Sequence, residues 1–537
     1  MRQVLQFPIW LLIAAFALSS CASAEVPYGR SVVADITSET IHYPDKVAAF
    51  YAANGNHVVW TGASNADNLR ELIQAVRLAE RDGLNPQHYH LWILQRARGG
   101  PADLYVDWFI TDVYLTLAGH LSHGKVDPNT IEATWNFEPD GLHGPEYLQT
   151  ALSEGRVAES LADLPPHHEE YQRLREGLAL YRAIAAEGGW PLISSGETLH
   201  PGDRDPRVTE LRARLEATGD LPPVEANRDQ FSPGLQTAVE RFQRRVGLNA
   251  DGVVGAGTLA QLNRSPEDRI NQLRVTLERW RWLPRDLGAR HLRVNIAGFQ
   301  LEAWEDGARI ETHNVIVGRT YRQTPVFSAS MRYLILNPWW EVPPSIAVQD
   351  KLPQFRRDPG VIAERGYEIL DRNDIPVDPT AIDWNRVSAS NFPYRIRQRP
   401  GPENALGRIK FMFPNVHNVY IHDTPSRELF ENSQRDFSSG CIRVVRPLEL
   451  AQWVLAGRED WPPKTLENVV GSGTETRIDL NSLIPVHILY FTVVVDEDIG
   501  FRFLNDIYDR DAGVLAALDV PPGEAVSQGL DTAEDSE

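Results

Sequence analysis

Ser438-Ser439-Gly440-Cys441-Ile442-Arg443 is the stretch on which the reading of this chain turns. Small residues ahead of a cysteine let the backbone turn sharply and set N–H groups beside the thiol, where they can hold the oxyanion of an acyl-transfer intermediate. The 537 residues contain two cysteines, Cys21 and Cys441. Cys21 closes a segment with the features of an export signal: Met1-Arg2-Gln3, an apolar run from Phe7 to Leu18, then small residues. Leu18-Ser19-Ser20-Cys21 reads as a lipoprotein cleavage box, which would make Cys21 a lipid anchor. Ala22-Ser23-Ala24 fits an ordinary cleavage site, so the signal peptide is set at 1–24 and the mature chain in the periplasm. Export leaves Cys441 alone in an oxidising compartment, where cysteines ordinarily pair. Such a thiol is either buried as a small hydrophobe or chemically needed.

A free thiol titrates near ~8.5 and needs a base or a positive charge to become a nucleophile at neutral pH. His422 closes the apolar run Val419-Tyr420-Ile421, which places it at the edge of a strand, facing a site. Separation along the chain does not by itself make the two a pair.

Working outward from this centre, the texture is that of strands from about Ala289. Leu292, Val294 and Ile296 alternate, and Asp306-Gly307 marks a hairpin between two alternating runs. Further strand-like runs are Arg332–Leu336, Tyr394–Arg397, Ile409–Phe413 and Asn418–His422, with a late pair, 486–495 and 500–503, completing the sheet. Between them, 345–394 is polar and irregular and reads as a lid. Upstream, residues 26–190 read as helical: Leu69, Leu72, Ile73 and Val76 form one stripe, 104–121 is apolar, and a third pattern over 171–186 ends at Gly188-Gly189. His88, His90, His167 and His168 lie here without a convincing metal-ligand set. Residues 200–263 form a compact unit, with Val208, Leu211 and Leu215 on one helical face, Leu235, Val239 and Phe242 on another, and a glycine-rich loop over 247–255. Residues 521–537 are acidic and poor in apolar groups, and are expected to be disordered. The net charge of −20 argues against nucleic acid as a partner.

Gly202-Asp203, Phe242-Gln243, Gly247-Leu248, Asp251-Gly252-Val253-Val254-Gly255 and Thr258 resemble the peptidoglycan-binding domain type 1 family. Ile421-His422-Asp423-Thr424 followed by Ser438-Ser439-Gly440-Cys441-Ile442-Arg443 resembles the L,D-transpeptidase catalytic family of the YkuD type. Val317-Gly318-Arg319 with Thr324-Pro325, Asn337-Pro338, Val342-Pro343-Pro344-Ser345, Asn404-Ala405-Leu406-Gly407 and Phe413-Pro414-Asn415 extend that match. The whole resembles the large, multidomain branch of the family.

The resemblance implies a multidomain α+β fold: an α-helical N-terminal scaffold domain (26–190), a three-helix peptidoglycan-binding module (200–263) and a mostly β catalytic domain (289–511) with a lid-like insertion (345–394). It implies Cys441 as nucleophile, His422 as general base and the Gly440 and Cys441 N–H groups as oxyanion donors. Ser439 stands where many members carry histidine and is a loop residue with a possible orienting role; a backbone carbonyl is the alternative orienter of His422, with Asp423 structural. Arg443 either recognises a carboxylate or ties down the loop, and Trp339, Trp340 and Tyr420 line the donor groove or serve as core. The implied chemistry is 3→3 cross-linking of peptidoglycan, with stem peptides as donor and acceptor, sensitivity to carbapenems, and no metal or organic cofactor. Carboxypeptidase action, exchange of a D-amino acid and a non-catalytic cell-wall scaffold are the competing outcomes.

Overall fold

The computed structural model describes Ile36 and residues 41–131, 144–223, 227–390 and 392–523. The export segment with Cys21, and the acidic stretch from 524 onward, lie outside the described residues.

The strand-rich region is a closed barrel. Its first strands are β1 (Arg290–Asn295), β2 (Gln300–Glu305), β3 (Ala308–Ile316) and β4 (Phe327–Leu336). An inserted four-stranded sheet follows, made of β5 (Trp340–Glu341), β6 (Tyr367–Leu370), β7 (Pro376–Val377) and β8 (Arg395–Gln398). The barrel resumes with β9 (Ile409–Met412), β10 (Ile421–His422), β11 (Ile442–Val444) and β12 (Thr476–Leu489), and a separate hairpin pairs β13 (Val493–Asp496) with β14 (Gly500–Phe503). The barrel order is β1-β12-β4-β9-β10-β11-β3-β2. Strand β12 thus closes the sheet from far down the chain, parallel to β1 and antiparallel to β4. Alternation sends Leu292, Val294, Leu334, Phe411, Ile421, Ile442 and Val486 inward as a dry core. The β2–β3 turn is Asp306-Gly307 with both φ positive, 50° and 79°, the geometry that favours Asp-Gly at a two-residue hairpin.

The stretch expected to be an irregular lid is a folded subdomain. Phe355, Ile362, Tyr367, Ile369, Trp384 and Ile396 form a core of their own, extended by Trp340, Val342 and Leu406. Asn337, with φ 48°, turns the chain out of β4. Asn404 clasps the two ends of the insertion: its amide donates to the carbonyls of Pro338 on the way in (3.1 Å) and of Gln398 and Arg399 on the way out (3.2 and 3.0 Å).

Among the N-terminal helices, Leu104–His123 is central. Asp103 caps it by accepting from the N–H groups of Tyr105 and Val106. Asp107 within it is fully buried yet satisfied, accepting from the Tyr51 hydroxyl and from the N–H groups of Val59, Trp60 and Thr61. Helix Glu169–Ala186, inside the span read as the N-terminal domain, instead puts Tyr171, Leu174 and Leu178 into the barrel's core, beside Leu273 and Leu277 of helix Pro266–Arg281. That second helix faces both ways, with Val275 and Trp282 in the N-terminal core. At the seam lies a buried network: Tyr171 donates to Asp82 (2.8 Å), Arg281 to the Asp82 carbonyl (2.7 Å) and to Glu278 (2.5 Å), and Glu278 accepts from Val126 N–H (2.7 Å). Helix Asp511–Asp519 returns to the N-terminal core through Val514 and Leu518. The 200–263 unit comprises helices Pro206–Ala217, Pro233–Arg245 and Ala256–Leu262. Its glycine loop is pinned by Gln243, whose amide accepts from Gly252 N–H and donates to Val253 O and Asp251.

Candidate active site

Strands β10 and β11 run parallel, with Ile421 opposite Ile442 and His422 opposite Arg443. Since Ile421 and Ile442 point into the barrel, Tyr420, His422, Cys441 and Arg443 share its outer face. Lys410 joins them, opposite His422 on β9. Cys441 is the residue before β11, so the thiol and the imidazole are diagonal neighbours on adjacent strands.

The loop ahead of Cys441 is held by its neighbour at 317–324. Gly318 bridges Ser438, Ser438 N–H donates to Val317 O (2.8 Å), and Arg319 N–H to Ser438 O (3.1 Å). The Thr324 hydroxyl accepts from Gly318 N–H and donates to Gly440 O, both at 2.9 Å. Gly440 sits at φ 111°, a conformation that side chains rarely adopt. Its N–H is not free for an oxyanion: it donates to Ser438 Oγ (3.1 Å), which in turn donates to Cys441 O (2.5 Å). This corrects the expectation for Gly440, because the serine that lets the loop turn folds back onto that donor. No described hydrogen bond occupies the Cys441 N–H. Ser439 does not orient His422 either; its hydroxyl accepts from Arg322 (2.9 Å).

His422 is oriented by its neighbour's backbone. Its Nδ1 lies 2.6 Å from the Asp423 carbonyl oxygen, which places the proton on Nδ1 and leaves Nε2 as acceptor. Asp423's carboxylate is structural, accepting from Arg408 N–H (2.9 Å) and Arg427 (2.7 Å). Burial, and then the nearby Arg443 and Lys410 charges, push the imidazole down to about 3, so it is neutral at neutral pH. Burial likewise raises the Cys441 thiol, against the opposing pull of hydrogen bonds from Tyr420 and of the Lys410 and Arg443 charges. The resting pair is therefore thiol and imidazole, not an ion pair. Among the described hydrogen bonds none joins them; the thiol faces the Asn418 carbonyl at 3.8 Å.

Tyr420 stands beside Cys441 and Trp340 of the insertion, with the Lys410 ammonium 3.9 Å from its ring centroid. Arg397 covers the Trp339 ring at 4.5 Å, and the Trp339 backbone N–H donates to Glu475. Among the described residues the Arg443 Nε is buried without an acceptor, and the Arg319 charge repels the guanidinium. Lys410 escaped the sequence reading, although the alternation Ile409-Lys410-Phe411 sets it on the outer face.

A single cysteine beside a carbonyl-oriented histidine, on the outer face of a closed barrel, defines a thiol–imidazole site suited to nucleophilic chemistry. Residues 289–477 match the model of the L,D-transpeptidase catalytic domain, residues 204–262 the "Putative peptidoglycan binding domain" and residues 45–178 the scaffold domain. Along the chain, then, stand a scaffold domain, a peptidoglycan-binding domain and an L,D-transpeptidase catalytic domain, in that order. It is 37% identical over 224 residues to the "Putative L,D-transpeptidase" of Haemophilus influenzae, covering 42% of this chain and 45% of that protein. The chain thus spans less than half the length of that relative. Among solved structures, the L,D-transpeptidase (Yku) of Stackebrandtia nassauensis is 14% identical, covering 56% of this chain and 96% of that one, at a TM-score of 0.20. The L,D-transpeptidase of Xylanimonas cellulosilytica is 15% identical, covering 55% and 99%, at 0.18. The fold assignment rests on the strand order and the family match.

Proposed function

We propose that Cys441 forms a thioester with the tetrapeptide stem of peptidoglycan and passes it to the amine of a second stem, making a 3→3 cross-link. The observation that carries this reading is the geometry of His422, held by the Asp423 carbonyl so that Nε2 is the basic atom on the face of Cys441. Cys441 attacks the carbonyl at the L-centre of the stem's diamino acid while Nε2 takes the thiol proton. Collapse of the tetrahedral intermediate breaks the amide bond to the terminal D-alanine, which leaves as an amine with that proton. The acceptor amine then attacks the thioester, gives its proton to His422 and restores the thiol. The Cys441 N–H is the donor available to the oxyanion.

Arg443 supplies recognition. A buried guanidinium nitrogen without an acceptor on the reacting face suits a stem carboxylate. Binding that anion also offsets the repulsion that depresses His422, so the base strengthens when a donor is present. Carbapenems would acylate the same sulfur. Export to the periplasm, with either a cleaved leader or a Cys21 anchor, completes the proposal; no helix among the described residues is long and apolar enough to cross a membrane.

The test is turnover of a disaccharide-tetrapeptide by the mature protein and by Cys441→Ala. D-alanine release with a 3→3 dimer, lost in the variant, supports the reading. Release without dimer transfers it to carboxypeptidase action, and no turnover with retained binding to sacculi leaves a cell-wall scaffold.

A further inference from the structure

The insertion and the catalytic loop meet at Arg322. The segment carrying it is tied to the residues ahead of Cys441 by the Gly318–Ser438 bridge and by Thr324, so Arg322 moves with the barrel. Its guanidinium reaches two ways. Nη1 donates to Ser439 Oγ (2.9 Å) and to Asp350 Oδ2 (2.7 Å), while Nη2 reaches Asp350 Oδ1 (3.3 Å) and Gln349. Gln349 and Asp350 belong to the insertion, in the π-helical turn Ala347–Lys351, a local distortion found mostly at functional sites. The insertion has its own core and is clasped at its base by Asn404, so it can shift as one body about that base.

We propose that Arg322 is a positioning residue that latches the insertion over the Cys441 face, with Ser439 as the fixed post on the barrel. The latch sets how freely a donor strand enters and leaves. The strength of the contact separates this role from a merely structural one. The Arg322 and Asp350 side chains are 18% and 40% exposed, and an ion pair in such a setting contributes little to stability. The pair that stabilises the domain seam, Arg281–Glu278, is fully buried. A weak, solvent-reached pair directly beside the catalytic loop suits a contact that breaks and re-forms during turnover. Being electrostatic and exposed, it is also loosened by salt.

The inference rests on Cys441 being the reactive group and is tested without peptide. In a Cys21→Ser background, Cys441 of the full chain is alkylated with iodoacetamide at low salt. Asp350→Asn and Arg322→Ala are expected to speed alkylation by up to about fivefold, the factor equivalent to the upper end of an exposed ion pair. Raised salt should bring the parent to the variants' rate, and the exchange Arg322→Asp with Asp350→Arg should restore slow alkylation. With a tetrapeptide donor, KM should rise by the same factor and kcat change less. Unchanged alkylation in both single variants overturns the proposal, as does an increase that merely tracks a fall in melting temperature. Failure of the acyl-transfer reading looks different: alkylation responds as described, but no variant turns over donor.

Discussion

Replacing Gly318 by alanine tests how the nucleophile is held. A Cβ there would lie 2.1 Å from the Arg322 carbonyl oxygen and 2.8 Å from Thr324 N. Both are backbone atoms, so no rotamer relieves the overlap, and the carbonyl must retreat by roughly 1 Å to reach ordinary contact. That movement strains four hydrogen bonds: Gly318 N–H to Thr324, Thr324 to Gly440 O, Arg319 N–H to Ser438 O, and Ser438 N–H to Val317 O. At about 1 kcal/mol each, partial loss costs about 2–4 kcal/mol. For a domain of this size that corresponds to a fall in Tm of roughly 5–15 °C. Because the loop carries Cys441, acylation should slow by about 100-fold, the usual consequence of a misplacement near 1 Å. Differential scanning fluorimetry and intact-mass kinetics with a tetrapeptide donor read the two effects. Gly257→Ala, with nothing within 4 Å of the new Cβ, serves as the neutral control. A Gly318→Ala protein that melts within about 2 °C of the parent and acylates at the parental rate would refute the reasoning.

Other consequences follow from the buried charges. His422 and His487 are held down to about 3 and about 4, so below 6.5 the unfolded chain takes protons that the folded one refuses. Each histidine then contributes a stability loss of about 2 kcal/mol between neutral pH and pH 5, and His422→Asn should remove its share from the difference between urea midpoints at those two pH values. An unchanged difference would count against the depressed imidazole. The raised thiol predicts that iodoacetamide alkylation of Cys441 has its midpoint above that of a free thiol, and Lys410→Gln should move it higher still. A midpoint near or below neutral would mean a resting ion pair. Glu278→Ala, which removes the ion-pair partner of buried Arg281 in the seam, should destabilise by about 3–5 kcal/mol in urea titration; a loss under about 1 kcal/mol would show the seam to be hydrated.

The features legible in the sequence were those with short-range signatures. Alternation placed the strands, Asp306-Gly307 placed the hairpin, and the order of small residues before Cys441 marked the loop. The insertion misled because its core is assembled from single aromatics, such as Phe355, Tyr367 and Trp384, spaced too irregularly to give a period. Helix Glu169–Ala186 carries an ordinary amphipathic stripe, and nothing in a stripe says which neighbour it will cover. The occupation of the Gly440 N–H is invisible in the sequence, because its acceptor, Ser438 Oγ, acts through a loop conformation rather than a pattern. Ser439 is set by a contact with Arg322, remote in sequence. Arg443 could be named, but its missing acceptor is visible only in three dimensions.

The most direct test of the central claim is intact-mass and peptide-mapping analysis of the enzyme incubated with a tetrapeptide donor and no acceptor. A covalent adduct of the donor less D-alanine, located on Cys441, is expected to accumulate in the parent and to be absent from Cys441→Ala. D-alanine release by Cys441→Ala, or an adduct mapping to another residue, would contradict it.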